Sequence, residues 1–123
     1  MIRKIFLFTV ALLMTAVFAF AQDAKPATVK VSGYLIDNMC AGEHADGEEA
    51  KEHKTSCALM PGCSKGGFTV VAEGNKAYKL DEHGSELAKE VANSTKTKKG
   101  LKVAVEGTME GETLHVSKLS EVQ

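Results

Sequence analysis

A mostly-β domain is what this 123-residue sequence predicts, and three observations predict it. Short segments alternate apolar and polar residues with period two, the pattern of a half-buried strand. Turn-forming residues separate consecutive pairs of these segments. One further segment, between the third and fourth strands, repeats its apolar residues at helical spacing. Five strands with a helix after the third is the order of a small OB-like Greek-key barrel.

Val29-Lys30-Val31-Ser32-Gly33-Tyr34-Leu35 turns its odd positions to a core and its even ones to solvent, and forms the first strand. Phe68 to Ala72 and Lys76 to Leu80 flank Glu73-Gly74-Asn75, which reads as strand, short turn, strand. Ser85 serves as the cap of a short helix carrying Leu87, Ala88, Val91 and Ala92. Leu101 to Val105 and Thr113 to Ser117 alternate on either side of Glu110-Gly111, a second hairpin. The expected core is Val29, Val31, Leu35, Phe68, Val70, Tyr78, Leu80, Leu87, Val91, Leu101, Val103, Val105, Leu114 and Val116. At about 1.5 to 3 kcal/mol per large side chain, such a core offsets the ordering entropy only narrowly, so a disulfide or a metal would add materially to stability.

Ahead of the strands, Arg3 and Lys4 precede an apolar run from Ile5 to Phe20, and Ala19 and Ala21 supply the small residues of a cleavage site. The run is about 16 residues, short of the roughly 20 of a membrane span. The expected organisation is a signal peptide over 1–21 cleaved near Ala21, a flexible segment over 22–28, and a single OB-like domain over 29–123. The product is expected in the periplasm or secreted, with no stable membrane anchor, in a compartment that permits disulfides. Loss of residues 1–21 leaves 102 residues with a net charge of −3 and, as aromatics, Tyr34, Phe68 and Tyr78. A mildly acidic chain so poor in stacking platforms is not a nucleic-acid binder.

The stretch Val-Lys-Val-Ser-Gly-Tyr-Leu-Ile-Asp-Asn-Met-Cys from Val29 to Cys40, together with Leu-Lys-Val-Ala-Val-Glu-Gly-Thr-Met-Glu-Gly-Glu-Thr-Leu-His-Val from Leu101 to Val116, resembles small exported bacterial proteins with a periplasmic OB-fold-like core. The more particular feature is Gly33, Asp37, Cys40 and His44 followed by Cys57 and Cys63. The resemblance implies the fold and export and brings no activity with it. A Cys/His insert is not a usual part of an OB-fold.

That insert, residues 37–67, occupies what is normally a short connection between the first two strands. It holds Cys40, Cys57 and Cys63, the histidines His44 and His53, and Met39 and Met60. Asp46 can cap a helix starting near Gly47, on which Glu49, His53 and Cys57 share one face before Pro61-Gly62 ends it. Two readings of the cysteines stand. In one, Cys40, Cys57, Cys63 and one of His44 or His53 hold zinc or copper, since thiolate with imidazole suits zinc, and thiolate with thioether suits Cu(I). In the other, one pair forms a disulfide that staples the insert, worth about 2 to 4 kcal/mol, and a third thiol is left over.

Three functional classes follow. The first is a non-enzymatic exported module that binds a transition metal or is disulfide-stapled, used in metal handling or envelope-stress tolerance. The second is a module that holds a small ligand or protein on the barrel face, with structural cysteines. The third is a thiol-dependent enzyme with Cys40 as nucleophile and His44 as base. Cys-x-x-Cys is absent, which counts against redox catalysis. Met39 and Met60 are expected in the core, Asp37 in a turn, His83 in a solvated turn, His115 on the outer face of the last strand, and the acidic run Glu43 to Glu52 on a solvated helix face. Pro61 to Gly67 lacks the preceding strand and the residue order of a phosphate loop.

Overall fold

The computed structural model describes residues 27–41 and 46–123; the expected signal peptide, cleavage site and His44 lie outside them. Strand β1 (Thr28–Asp37) leads into four short helices, α1 (Asn38–Ala41), α2 (Gly47–Glu52), α3 (Thr55–Ala58) and α4 (Pro61–Lys65). Then follow β2 (Phe68–Ala72), a 3-10 turn over Glu73–Asn75, β3 (Lys76–Leu80), helix α5 (Glu82–Ser94), β4 (Lys102–Glu110) and β5 (Thr113–Glu121). The expected strands and both expected hairpins are present, and the main helix stands between β3 and β4.

The five strands close into a ring in the order β1-β2-β3-β5-β4. Every pairing is antiparallel except β3 with β5, which is parallel over Lys79↔Thr113 and Leu80↔Leu114. β1 serves two partners, pairing with β4 from Thr28↔Thr108 to Tyr34↔Lys102 and with β2 from Gly33↔Ala72 to Asp37↔Phe68. The two ladders overlap at Gly33 and Tyr34, and at Gly33 a Cβ would run into the Val71 carbonyl. Only glycine allows the backbones to come this close.

The inner face of the ring is the expected one. Val31, Leu35, Phe68, Val70, Leu80, Leu101, Val103, Val105, Leu114 and Val116 are buried together, with Val29, Tyr78, Leu87 and Val91 packed at the margin. Helix α5 contributes Ala88 and Ala92 to the buried cluster rather than its larger residues. Small side chains let it lie close to β5, and at Gly84 a Cβ would strike the Val116 side chain.

Two expectations about this frame are corrected. Asp81, not Ser85, caps α5: its Oδ1 accepts from the Gly84 N–H at 2.8 Å and also from Val116 N–H at 3.2 Å. The carboxylate therefore satisfies two orphan donors at once, and the helix starts early enough to take in His83, which was expected in a turn. Ser85 instead accepts a hydrogen bond from Phe68 N–H at 3.2 Å. Within Val29 to Leu35 the even positions Lys30 and Ser32 are exposed as expected, but beyond Leu35 the alternation stops. Ile36, Val71 and Ala50 form a second small buried cluster, because α2 covers the outer face of β1 and β2 there.

Candidate functional site

The insert is held at both ends by polar groups rather than by a core of its own. Asn38 Nδ2 donates to the Gly66 carbonyl at 2.7 Å, Thr69 Oγ1 donates to Asn38 Oδ1 at 2.6 Å, and Asn38 N–H donates to Gly67 carbonyl at 3.0 Å. One asparagine thus fastens the start of the insert to its end. In between, Asp46 caps α2 as expected, accepting from Glu49 N–H at 2.8 Å.

The expected continuation of that helix through His53 to Cys57 does not form. α2 stops at Glu52, His53 is extended, and a new turn of helix begins at Thr55. The backbone here finds better partners in the segment before β4. Gly100 N–H donates to the His53 carbonyl and Thr55 N–H to the Lys98 carbonyl, both at 3.0 Å, while Thr55 Oγ1 donates to Thr97 carbonyl at 2.8 Å. Glu49, His53 and Cys57 consequently do not share a helix face. Pro61 also acts differently from expectation: it opens α4 at the first helical position, where its missing N–H costs nothing, instead of stopping a helix. Next to Cys57, Ala58 joins the barrel core and Leu59 packs against it, so α3 seats on the ring.

These constraints bring three of the five expected site residues, Cys40, His53 and Cys63, to a residue that was missed, with Cys57 near the other two thiols. Asp37, expected in a turn, is the last residue of β1 and is completely buried. Its Oδ2 accepts from the Cys40 N–H at 3.0 Å, and its Oδ1 lies 3.1 Å from His53 Nε2. That second contact has the length of an ion pair without the alignment of a hydrogen bond. Asp37 Oδ1 and His53 Nε2 are the two buried side-chain polar atoms left without a hydrogen bond among the described residues. Donor atoms of Asp37, Cys40 and His53 all lie within 4.8 Å of one another.

The thiols respond to this carboxylate. Burial, then the charge of Asp37 and a hydrogen bond to it, with smaller contributions from Cys63 and Cys57, push the Cys40 thiol up to about 11. Cys63 is raised by burial, by the charge of Asp37 and a hydrogen bond to it, and by Cys57. All three cysteines are partly buried and unpaired in this structure. A thiol held protonated at neutral pH is a poor nucleophile, which weighs against Cys40 as the attacking group of an enzyme.

Among the described residues, Asp37, Cys40 and His53 are the three whose donor atoms lie close enough together to share an ion, and carboxylate, thiolate and imidazole are all donor types that zinc accepts. Buried polar atoms without partners are uncommon, and an ion between them is one physical reason for such a pair.

The other singled-out residues divide. Met39 and Met60, expected in the core, are 62% and 56% exposed; Met39 lies on the short helix α1 and Met60 at the N-cap of α4, neither of which buries a residue. His83 is exposed on α5. His115, on the outer side of β5 as expected, stands between Asp81 Oδ2 at 3.4 Å and Glu110 Oε2 at 3.0 Å. Among the described residues no helix is long and apolar enough to cross a membrane. No protein family, no curated protein and no solved structure matches the chain.

Proposed function

We propose that this chain is an exported, non-enzymatic metal-binding module in which an OB-type barrel carries a metal site in the connection between its first two strands. The ligands are drawn from Cys40, Cys57, Cys63 and His53, with Asp37 either as a ligand or orienting them, and the ion is zinc or copper. What supports this most is the meeting of Asp37 Oδ1 and His53 Nε2, buried and unaligned, beside Cys40. Metal binding would exchange the thiol protons for the ion and give the unaligned pair a common partner. In the same reading, the strand order with its single parallel closure supports the OB-type topology.

The test is native mass spectrometry of the protein recovered from the exporting compartment without chelator or reductant, followed by its denatured mass. One zinc or copper per chain with all three thiols reduced is the expected result. A metal-free native mass, with a denatured mass about two daltons lower than the reduced chain, would mean a disulfide staple in place of a metal site.

A second reading has one observation of its own. A cleft of about 780 Å³ opens beside Val29, Thr69, Tyr78 and Met109 on the barrel, with Asn38 and Ala41 of α1 at its edge, and is large enough for a small ligand. On this reading the barrel face binds and the cysteines are structural. Substituting Cys40 and Cys63 together by Ser would then weaken the fold and leave ligand capture intact.

A further inference from the structure

Resting on the metal-binding reading, we propose that the ion is Cu(I) and that the exposed thioethers of Met39 and Met60 are the outer ligands through which it enters and leaves the thiol site. Among the described residues, the large hydrophobic side chains exposed to solvent are Met39, Met60 and Val122. The remaining described methionine, Met109 on β4, behaves as methionine usually does and packs against the core. The two that do not are the two that adjoin the cysteines.

Their positions are specific. Met60 caps the N-terminus of α4 and joins two cysteines through the backbone: its N–H donates to Cys57 carbonyl at 3.1 Å and its carbonyl accepts from Cys63 N–H at 2.9 Å. Met39 precedes Cys40, and its Cγ lies over Gly66, the residue that caps the other end of α4. The thioethers therefore stand at the two ends of the helix that carries Cys63.

The ligand chemistry selects the ion. A thioether is a soft, uncharged donor that binds Cu(I) well and zinc poorly, and it needs no deprotonation to do so. Met39 and Met60 are more than half exposed whereas the three cysteines are partly buried, so an arriving cation meets the thioethers first. Exposed thioethers in the segments that carry the three partly buried thiols offer Cu(I) soft donors outside and inside, so that one soft bond is exchanged for the next.

The experiment uses the exported protein, reduced and kept anaerobic, with Zn(II) alone and with Cu(I) supplied from a coloured Cu(I) chelator. Wild type is expected to bind one Zn(II), to give it up to Cu(I), and to show shifts of the Met39 and Met60 methyl resonances with Cu(I) but not with Zn(II). The double variant Met39→Leu, Met60→Leu keeps the apolar volume on an exposed surface and is expected to bind Zn(II) as wild type does. Its uptake of Cu(I) should be slower by about tenfold or more, the scale on which outer partners act at metal sites. Equal Cu(I) uptake rates, or unmoved methyl resonances, would overturn the proposal and leave two methionines exposed for some other purpose, such as docking a protein. Zn(II) binding that Cu(I) does not displace would overturn it while leaving the metal-binding reading intact. Failure to bind either ion would end both.

Discussion

The barrel and its insert are built on opposite principles. In the barrel, apolar residues of alternating register fill one interior and the backbone groups are matched in ladders. In the insert, no helix among the described residues exceeds six residues, and position is set by single side chains such as Asn38, Thr55 and, from outside, Asn75 that tie the backbone to neighbouring elements. Helices this short have little stability of their own. The ring is thus stable by burial, and the insert is stable as long as its polar connections hold, which makes it the part that can respond to an ion or a proton.

The largest test of that contrast lies in the ring. Phe68→Ala removes a fully buried ring at the point where the insert rejoins the sheet, and a loss of about 3 to 5 kcal/mol is expected in urea unfolding, with barrel and insert lost together. Asn38→Ala should separate the two regions. It deletes two hydrogen bonds at the neck of the insert and leaves the buried Thr69 hydroxyl without its acceptor, costing about 1 to 3 kcal/mol. Hydrogen exchange should show the α1 to α4 amides losing protection more than those of β4 and β5.

A smaller and more selective effect is expected from pH in the metal-free protein. Folding raises the Cys40 thiol to about 11, so the folded state favours its neutral form. That preference is complete below the unfolded thiol range near 8.5 and is lost as pH rises through the folded value. Alkaline solution should therefore loosen the insert while the barrel keeps its exchange protection, and Cys40 alkylation at neutral pH should be about tenfold or more slower than in the unfolded chain. Asp37→Asn removes the charge that helps raise Cys40 and Cys63 and should bring both thiols down. If Cys40 reacts as fast in the folded protein as in the unfolded one, the buried cluster is wrongly drawn. The smallest effect is reserved for the surface: Lys30→Ala breaks a 3.3 Å pair with Glu106 that is open to water and should cost no more than about 0.5 kcal/mol.

The same contrast explains what was legible in the amino-acid order. Strands announce themselves by alternation over several residues, and Val29 to Leu35 or Leu101 to Val105 needed no tertiary information. The insert gave away its chemistry, since its cysteines and His53 were conspicuous, but not its geometry. Whether the backbone after Glu52 continues as helix depends on Lys98 and Gly100, far along the chain, offering it hydrogen bonds. Asp37 was the instructive miss. Its parity with Val31 and Leu35 puts it on the inward row of β1, a signal available from spacing alone, yet an aspartate before an asparagine reads first as a turn. Only the partners around it explain a buried carboxylate. Ile36 and Val71, absent from the expected core, are buried for a related reason, because a cover supplied by α2 cannot be seen in their own strands.

The ring's closure has a bearing on how the chain reaches its native state. β1 meets β4 over seven residue pairs, whereas β3 meets β5 over two. The entropy of closing a loop grows only slowly with its length, so the reward per closure largely decides which contacts form early. Local hairpins and the long β1 seam repay their closure well; the short parallel seam does not. α5 follows β3 directly, and its cap Asp81 bonds both the helix and Val116 of β5. In the native state the closure is a clasp, where a two-pair parallel seam is latched by the cap of the helix that follows it.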